Sequence, residues 1–163
     1  MPEKNAEVQP PTGLSRFLYR LPILFFRFHL GWILGGHFLL LNHTGRKSGL
    51  PRQAVLECIR LDKTNDTYYV IAGWGEKSDW FRNVQKNPRV IIQVGGRRLA
   101  AIAERLPIEQ AEGEILNFAR RFPALARTLV RVAGYRVDGT EADYRLLADG
   151  FPVVALQRVR EAE

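Results

Sequence analysis

The sequence predicts an α+β fold in which about six mostly antiparallel strands curl into a small barrel with peripheral helices. Three observations lead there. Strand-like runs follow one another with hairpin-length connections, most clearly Gly95-Gly96 between residues 89–94 and 97–106. Through the first five strands only one short helical stretch, around Trp80, intervenes, whereas a parallel sheet needs a crossover between every pair of strands. Residues 53–61 are apolar on both faces, Val55 and Ile59 on one and Leu56 and Cys58 on the other, as expected of a strand covered on both sides.

Residues 1–12 read as a disordered lead, polar and containing proline. Residues 13–36 read as an N-terminal amphipathic helix. Leu14, Phe17, Leu18, Leu21 and Phe25 recur at spacings of three and four, and Gly35-Gly36 ends the pattern. The stripe suits packing on a core. Its arginines and aromatics also suit peripheral contact of residues 14–32 with an anionic membrane surface. Pro22, Arg27 and Gly35-Gly36 argue against a span, and the polar start against a secretory signal.

Residues 37–163 form the barrel domain. Strands are expected at 37–42, 53–61 and 67–72. Ser78 is placed as an N-cap with Asp79 in the first turn, Trp80, Phe81 and Val84 form the inner face of a short helix, and Asn87-Pro88 stops it. After the Gly95-Gly96 hairpin, Pro107 sits at a helix start. Helices follow at 108–120 and 124–132, and Gly134 ends the second. Thr140-Glu141-Ala142-Asp143 resembles a capping box, and residues 151–159 make the last strand.

The chain of 163 residues, 46% hydrophobic and 25% charged, is enough for one domain with a buried core. Its formal net charge of +7 points to an anionic partner. Nucleic acid ranks last, because the strands read as buried rather than as a surface of interleaved aromatics and cations. Cys58 is the sole cysteine, so no internal disulfide forms and a cytoplasmic protein is the natural reading. No HExxH, cysteine cluster or histidine–carboxylate group is present, so no metal site is expected. Gly-x-Ser-x-Gly and Gly-x-Gly-x-x-Gly are absent too. Cys58 reads as an inert core thiol. His43 is the best-placed general acid, although a lone histidine is more often structural. An enzyme built on this chain would therefore need a cofactor to carry the chemistry.

The stretch around which the chain is organised runs from Leu39 to Arg52, an apolar run ending in the loop Thr44-Gly45-Arg46-Lys47-Ser48-Gly49-Leu50-Pro51-Arg52. Its glycines let backbone N–H groups turn inward as an anion nest. Arg46, Lys47 and Arg52 bring charge, and Ser48 and Thr44 bring neutral donors. The spacing is not that of a Walker loop. The same residues would also make a solvated, basic hairpin turn.

Residues 41–52, with Tyr69-Val70-Ile71-Ala72, Asp79-Trp80-Phe81-Arg82-Asn83 and Lys86-Asn87-Pro88-Arg89-Val90, resemble the deazaflavin-dependent nitroreductase family, also called F-420H2-dependent quinone reductases. The Thr-Gly-Arg-Lys-Ser-Gly and Trp-Phe-x-Asn-Val-x-x-Asn-Pro signatures together carry the likeness, which runs from about residue 38 to the final Pro-Val-Val strand. The resemblance implies a split β-barrel of the FMN-binding type. It implies coenzyme F-420, an anionic deazaflavin with a phospholactyl-glutamate tail, with FMN as the alternative. Arg46, Lys47, Ser48, Gly49 and Arg52 match positions that hold the phosphate and tail. Ala72, Gly73, Trp74 and Gly75 match the segment lining the ring, and Trp80 and Asn83 the helix start beside the phosphate. Hydride would pass to a small planar acceptor, quinone-like, nitroaromatic or otherwise electron-poor. No side chain is assigned as catalytic; Trp74 and Tyr144 are candidate substrate contacts. A Gly73-Trp74-Gly75-Glu76-Lys77 turn replaces the family's Ser-Lys-Gly-Gly, so Trp74 would narrow the ring pocket or stack on substrate. A non-enzymatic flavin, deazaflavin or fatty-acid binder on the same barrel is the alternative reading. A homodimer is compatible with either.

Overall fold

The computed structural model describes residues 3–4, 23, 37–132, 134–136 and 138–160. Apart from Ile23, the helix expected over 13–36 lies outside them, and so does most of the lead. Within that lead, Glu3–Lys4 (β1) pairs antiparallel with Tyr135–Arg136 (β7). Among the described residues no helix is long and apolar enough to cross a membrane.

Six strands close the barrel: β2 (Phe38–Thr44), β3 (Pro51–Asp62), β4 (Thr67–Ile71), β5 (Arg89–Val94), β6 (Arg97–Arg105) and β8 (Val153–Arg158). Their order around it is β2-β3-β4-β8-β6-β5, and every neighbouring pair is antiparallel. The α+β barrel read from the sequence is thus the fold. β3 begins at Pro51, two residues before the expected start, because its ladder with β2 runs out to Thr44 opposite Pro51. Proline is tolerated there, at the first position of a strand.

Side chains alternate across the wall and feed two cores. Inside lie Leu39, Leu41, Leu56, Val70, Ile92 and Leu156, closed at one end by Trp80, Phe81 and Val84 of α1 (Asp79–Lys86). Outside, Ile59 and Val153 pack with α2 (Ile108–Arg121), α3 (Pro123–Val132) and α4 (Glu141–Leu146) through Ile115, Phe118, Ala126 and Tyr144. Val153 and Val154, adjacent in sequence, belong to different cores. Arg60 of β3 ties α2 to the wall through a two-pronged pair with Glu114, at 2.8 and 2.7 Å.

Two caps differ from expectation. Ser78 stands at the N-cap position of α1, but its hydroxyl makes no capping hydrogen bond and is buried without a partner among the described residues. The capping box at α4 is one-sided. Thr140 Oγ1 accepts from the Asp143 N–H at 3.2 Å, while the Asp143 carboxylate turns to the Asp138 N–H at 3.0 Å.

The segment after β4 is fastened to the start of β8. The Ala72 N–H donates to Pro152 O at 2.9 Å. Gly75 has φ +61°, and a Cβ there would lie 2.5 Å from Gly150 O. Gly75→Ala should therefore cost about 2–3 kcal/mol through the left-handed backbone and the clash. Gly73→Ala, where an added Cβ meets nothing within 4 Å, should be nearly neutral. Urea denaturation of the two variants side by side reads the difference.

Candidate functional site

The loop between β2 and β3 is folded on itself and then pinned from outside. The Gly45 N–H donates to Leu50 O, and the Gly49 N–H to Gly45 O, both at 2.8 Å. A Cβ on Gly45 would come within 2.7 Å of Ser48 Oγ, and Gly49 has φ +68°, so both positions favour glycine. One face of α1 does the pinning. Asp79, Asn83 and Lys86, spaced four and three apart, all reach Arg46. The Arg46 N–H donates to Asn83 Oδ1 at 3.0 Å, and its Nη1 donates to Asn83 Oδ1 at 2.9 Å and Asp79 Oδ1 at 3.0 Å. Lys86 Nζ donates to Arg46 O at 3.3 Å.

His43 completes the junction from beneath. Asn83 Nδ2 lies 3.2 Å from its Nδ1. An amide nitrogen can only donate, so Nδ1 accepts and the ring is neutral. Burial and the Arg52 charge push its pKa down to about 4, against a smaller opposing effect of Asp79. The general-acid role expected of His43 is not what the structure supports: at neutral pH the ring carries no extra proton and serves as a buried acceptor. Cys58 keeps its expected inert role. Burial raises its thiol to about 11, and the thiol donates to Arg60 O at 3.1 Å.

With Arg46 engaged in holding the loop, the groups facing solvent are Lys47, Ser48, Gly49 and Arg52. Lys47 and Arg52 enter no ion pair among the described residues. Ser48 Oγ accepts from the Leu50 N–H at 3.3 Å, which leaves its own proton for a ligand. Two cations, a hydroxyl and a glycine turn on a braced frame suit an anion such as a phosphate.

A second feature lies between the wall and the helices. A cavity of about 200 Å³ is lined by Ile59, Ile71, Ile115, Phe118 and Phe151 among others, with Gly73 and Trp74 beside them. Two polar side chains enter it, Glu57 and Tyr144. The Tyr144 hydroxyl is buried with no partner among the described residues. Such an orphan costs about 1–3 kcal/mol unless something meets it. Burial alone raises Glu57 to about 7. Loop and cavity share a strand: Pro51 and Glu57 are six residues apart on β3, roughly 20 Å at 3.3 Å per residue.

The structure thus gathers Arg46, Lys47, Ser48, Gly49, Arg52 and Asn83 at the loop, and Gly73, Trp74 and Tyr144 at the cavity. Ala72 and Trp80 are buried in the barrel core instead, and Gly75 packs against Gly150, so these three support the site from behind. Sequence reasoning missed Glu57, Asp79 and Lys86 as site residues. The available signals were a carboxylate inside an apolar strand, and three polar residues on one helical face.

The sequence profile of a family described as F420H(2)-dependent quinone reductase matches residues 29–134. A search of curated proteins finds no match. Among solved structures, one described as an F420-H2 dependent reductase (FDR-A) superposes with a TM-score of 0.50 at 24% identity, covering 74% of this chain and 94% of that one. The heme storage protein HutZ from Vibrio cholerae superposes with a TM-score of 0.53 at 14% identity, covering 80% and 87%. A protein of unknown function from Agrobacterium tumefaciens str. C58 gives 0.54 at 14% identity, covering 92% and 59%. At these identities the likeness is one of fold.

The two shifted groups oppose each other in pH-dependent stability. His43 titrates near 4 in the fold and 6.5 when unfolded, so its contribution is full above pH 6.5 and is lost as pH falls. Glu57 titrates near 7 in the fold and 4.5 when unfolded, so its contribution is full below pH 4.5 and is lost as pH rises. Each is worth up to about 3 kcal/mol. Between pH 4.5 and 6.5 they should nearly cancel. Urea midpoints should rise with pH in Glu57→Gln and fall with pH in His43→Gln over that window; parallel profiles would contradict the assignment.

Proposed function

Because the chain belongs to the F420H(2)-dependent quinone reductase family, we propose that it reduces a planar, electron-poor acceptor such as a quinone or a nitroaromatic. The anionic coenzyme tail lies at residues 46–52 and the acceptor in the cavity beside Glu57 and Tyr144. Family membership makes the protein an oxidoreductase that uses coenzyme F-420. When bound, the reduced deazaflavin supplies the hydride.

The observation that carries this reading is the division of labour at the loop. Arg46 is engaged by α1, so Lys47, Arg52 and Ser48 are held in place yet open to a ligand. Lys47 and Arg52 neutralise the tail, and Ser48 donates to it. Gly73 and Trp74 line the cavity and would give a ring a flat, close approach. The apolar cavity walls exclude water from the reacting atoms. Tyr144, with its hydroxyl unsatisfied, is free to donate to an acceptor oxygen as charge develops there. A lipid-soluble quinone would also give a purpose to contact between residues 14–32 and an anionic membrane.

Titration with reduced coenzyme, followed by its fluorescence, should show saturable binding. Lys47→Ala should weaken it by about 1–3 kcal/mol, the scale of a hydrogen bond to a charged group. Menadione and a nitroaromatic should each reoxidise the bound coenzyme, seen as recovery of its absorbance. Binding without turnover of any acceptor would instead favour the non-enzymatic binder. Binding of FMN in place of the deazaflavin would change the cofactor, and no binding of either at high micromolar concentration would sink the proposal.

A further inference from the structure

We propose that Glu57 is a specificity residue that admits uncharged acceptors bearing a carbonyl or nitro oxygen and turns away anionic ones. The inference rests on the reading that the cavity takes the acceptor.

The geometry is specific to this carboxyl. Glu57 reaches into a space of about 200 Å³ whose other described lining side chains are apolar apart from the Tyr144 hydroxyl and the Trp74 indole N–H. A dry cavity of about 150 Å³ holds a benzene ring, so the space suits a compound of one or two rings. Any such compound has to accept or offer something at Glu57.

The charged and titratable groups on the surrounding described elements do not answer Glu57. On its own strand, Cys58 donates to Arg60 O and Arg60 is held by Glu114 of α2. Also on α2, Arg120 pairs with Glu141 and Arg121 lies over Phe122. On α3, Arg127 lies against Gly139 and Arg131 is exposed. On α4, Asp143 accepts from the Asp138 N–H. On the β2 side Phe38 stands directly opposite, and the His37 ring packs on Phe122. On β4, Tyr69 lies beneath Arg60. Among the described residues no cation offsets the carboxylate, in keeping with burial as the cause of its raised pKa.

Protonated, Glu57 donates to a carbonyl or nitro oxygen. Ionised, it can only accept, and it repels a second negative charge across a poorly screened space. Affinity for an uncharged acceptor should then follow the protonated fraction, falling about tenfold between pH 6 and pH 8.

Equilibrium dialysis of the full chain with 2-methyl-1,4-naphthoquinone at pH 6 and pH 8 tests this without turnover. The wild type should bind roughly tenfold more weakly at pH 8, and Glu57→Gln, which keeps a donor and cannot ionise, should bind alike at both. At pH 8, 1,4-naphthoquinone-2-sulfonate should bind Glu57→Gln about tenfold better than wild type. Binding with the same pH profile in both proteins would overturn the role of Glu57 and leave the cavity as the acceptor site. Absence of naphthoquinone binding in both, with coenzyme binding intact, would overturn the cavity reading and this one with it. A cooperative urea transition at pH 6 with a midpoint no lower than the wild type's would show that the variant is folded.

Discussion

Asn83 is the contact on which the site depends. Its buried amide accepts twice from Arg46, through the backbone N–H and through the guanidinium, and donates once to His43. One side chain thereby joins the end of β2, the loop and α1. Each of these bonds is worth only about 0.5–3 kcal/mol net, but removing the amide strands partners in a place water does not readily reach. Stability and binding are therefore coupled here. The frame that keeps Lys47, Ser48 and Arg52 in register is the same one that caps the barrel.

The loop's three arginine-type and lysine charges do different work, although they look alike in sequence. Arg46 offers a planar fork that satisfies Asp79 and Asn83 together, a geometry lysine cannot copy. Among the described residues Lys47 and Arg52 have no such partners. A positive site built this way avoids the mutual repulsion of three free cations, because Asp79 offsets one of them.

β3 is the second constraint. It has to be apolar on both faces because it separates the barrel interior from the helical layer, and its inner residues Ala54, Leu56 and Cys58 alternate with outer ones as far as Ile59. Glu57 stands among the outer positions. A carboxyl there is costly to ionise, which makes it an unusual choice for packing and a sensible one for meeting a ligand. The orphaned Tyr144 hydroxyl in the same cavity has the same character. At both groups the local consistency of the fold gives way.

Much of the architecture is written locally. Gly95-Gly96 marks its hairpin, Asn87-Pro88 its helix end and Thr140 its cap, since turn and cap chemistry act over a few residues. The basic glycine loop and its family likeness were readable for the same reason. What the residues did not disclose depends on distance along the chain. Arg46 meets Asn83 across 37 positions, and only that encounter turns a candidate ligand-binding arginine into a brace. Glu57 becomes a group titrating near 7 because helices that begin about fifty residues later cover it. Periodicity tells which face of a segment is apolar, but burial, pairing and the free space left between segments exist only after the barrel has closed.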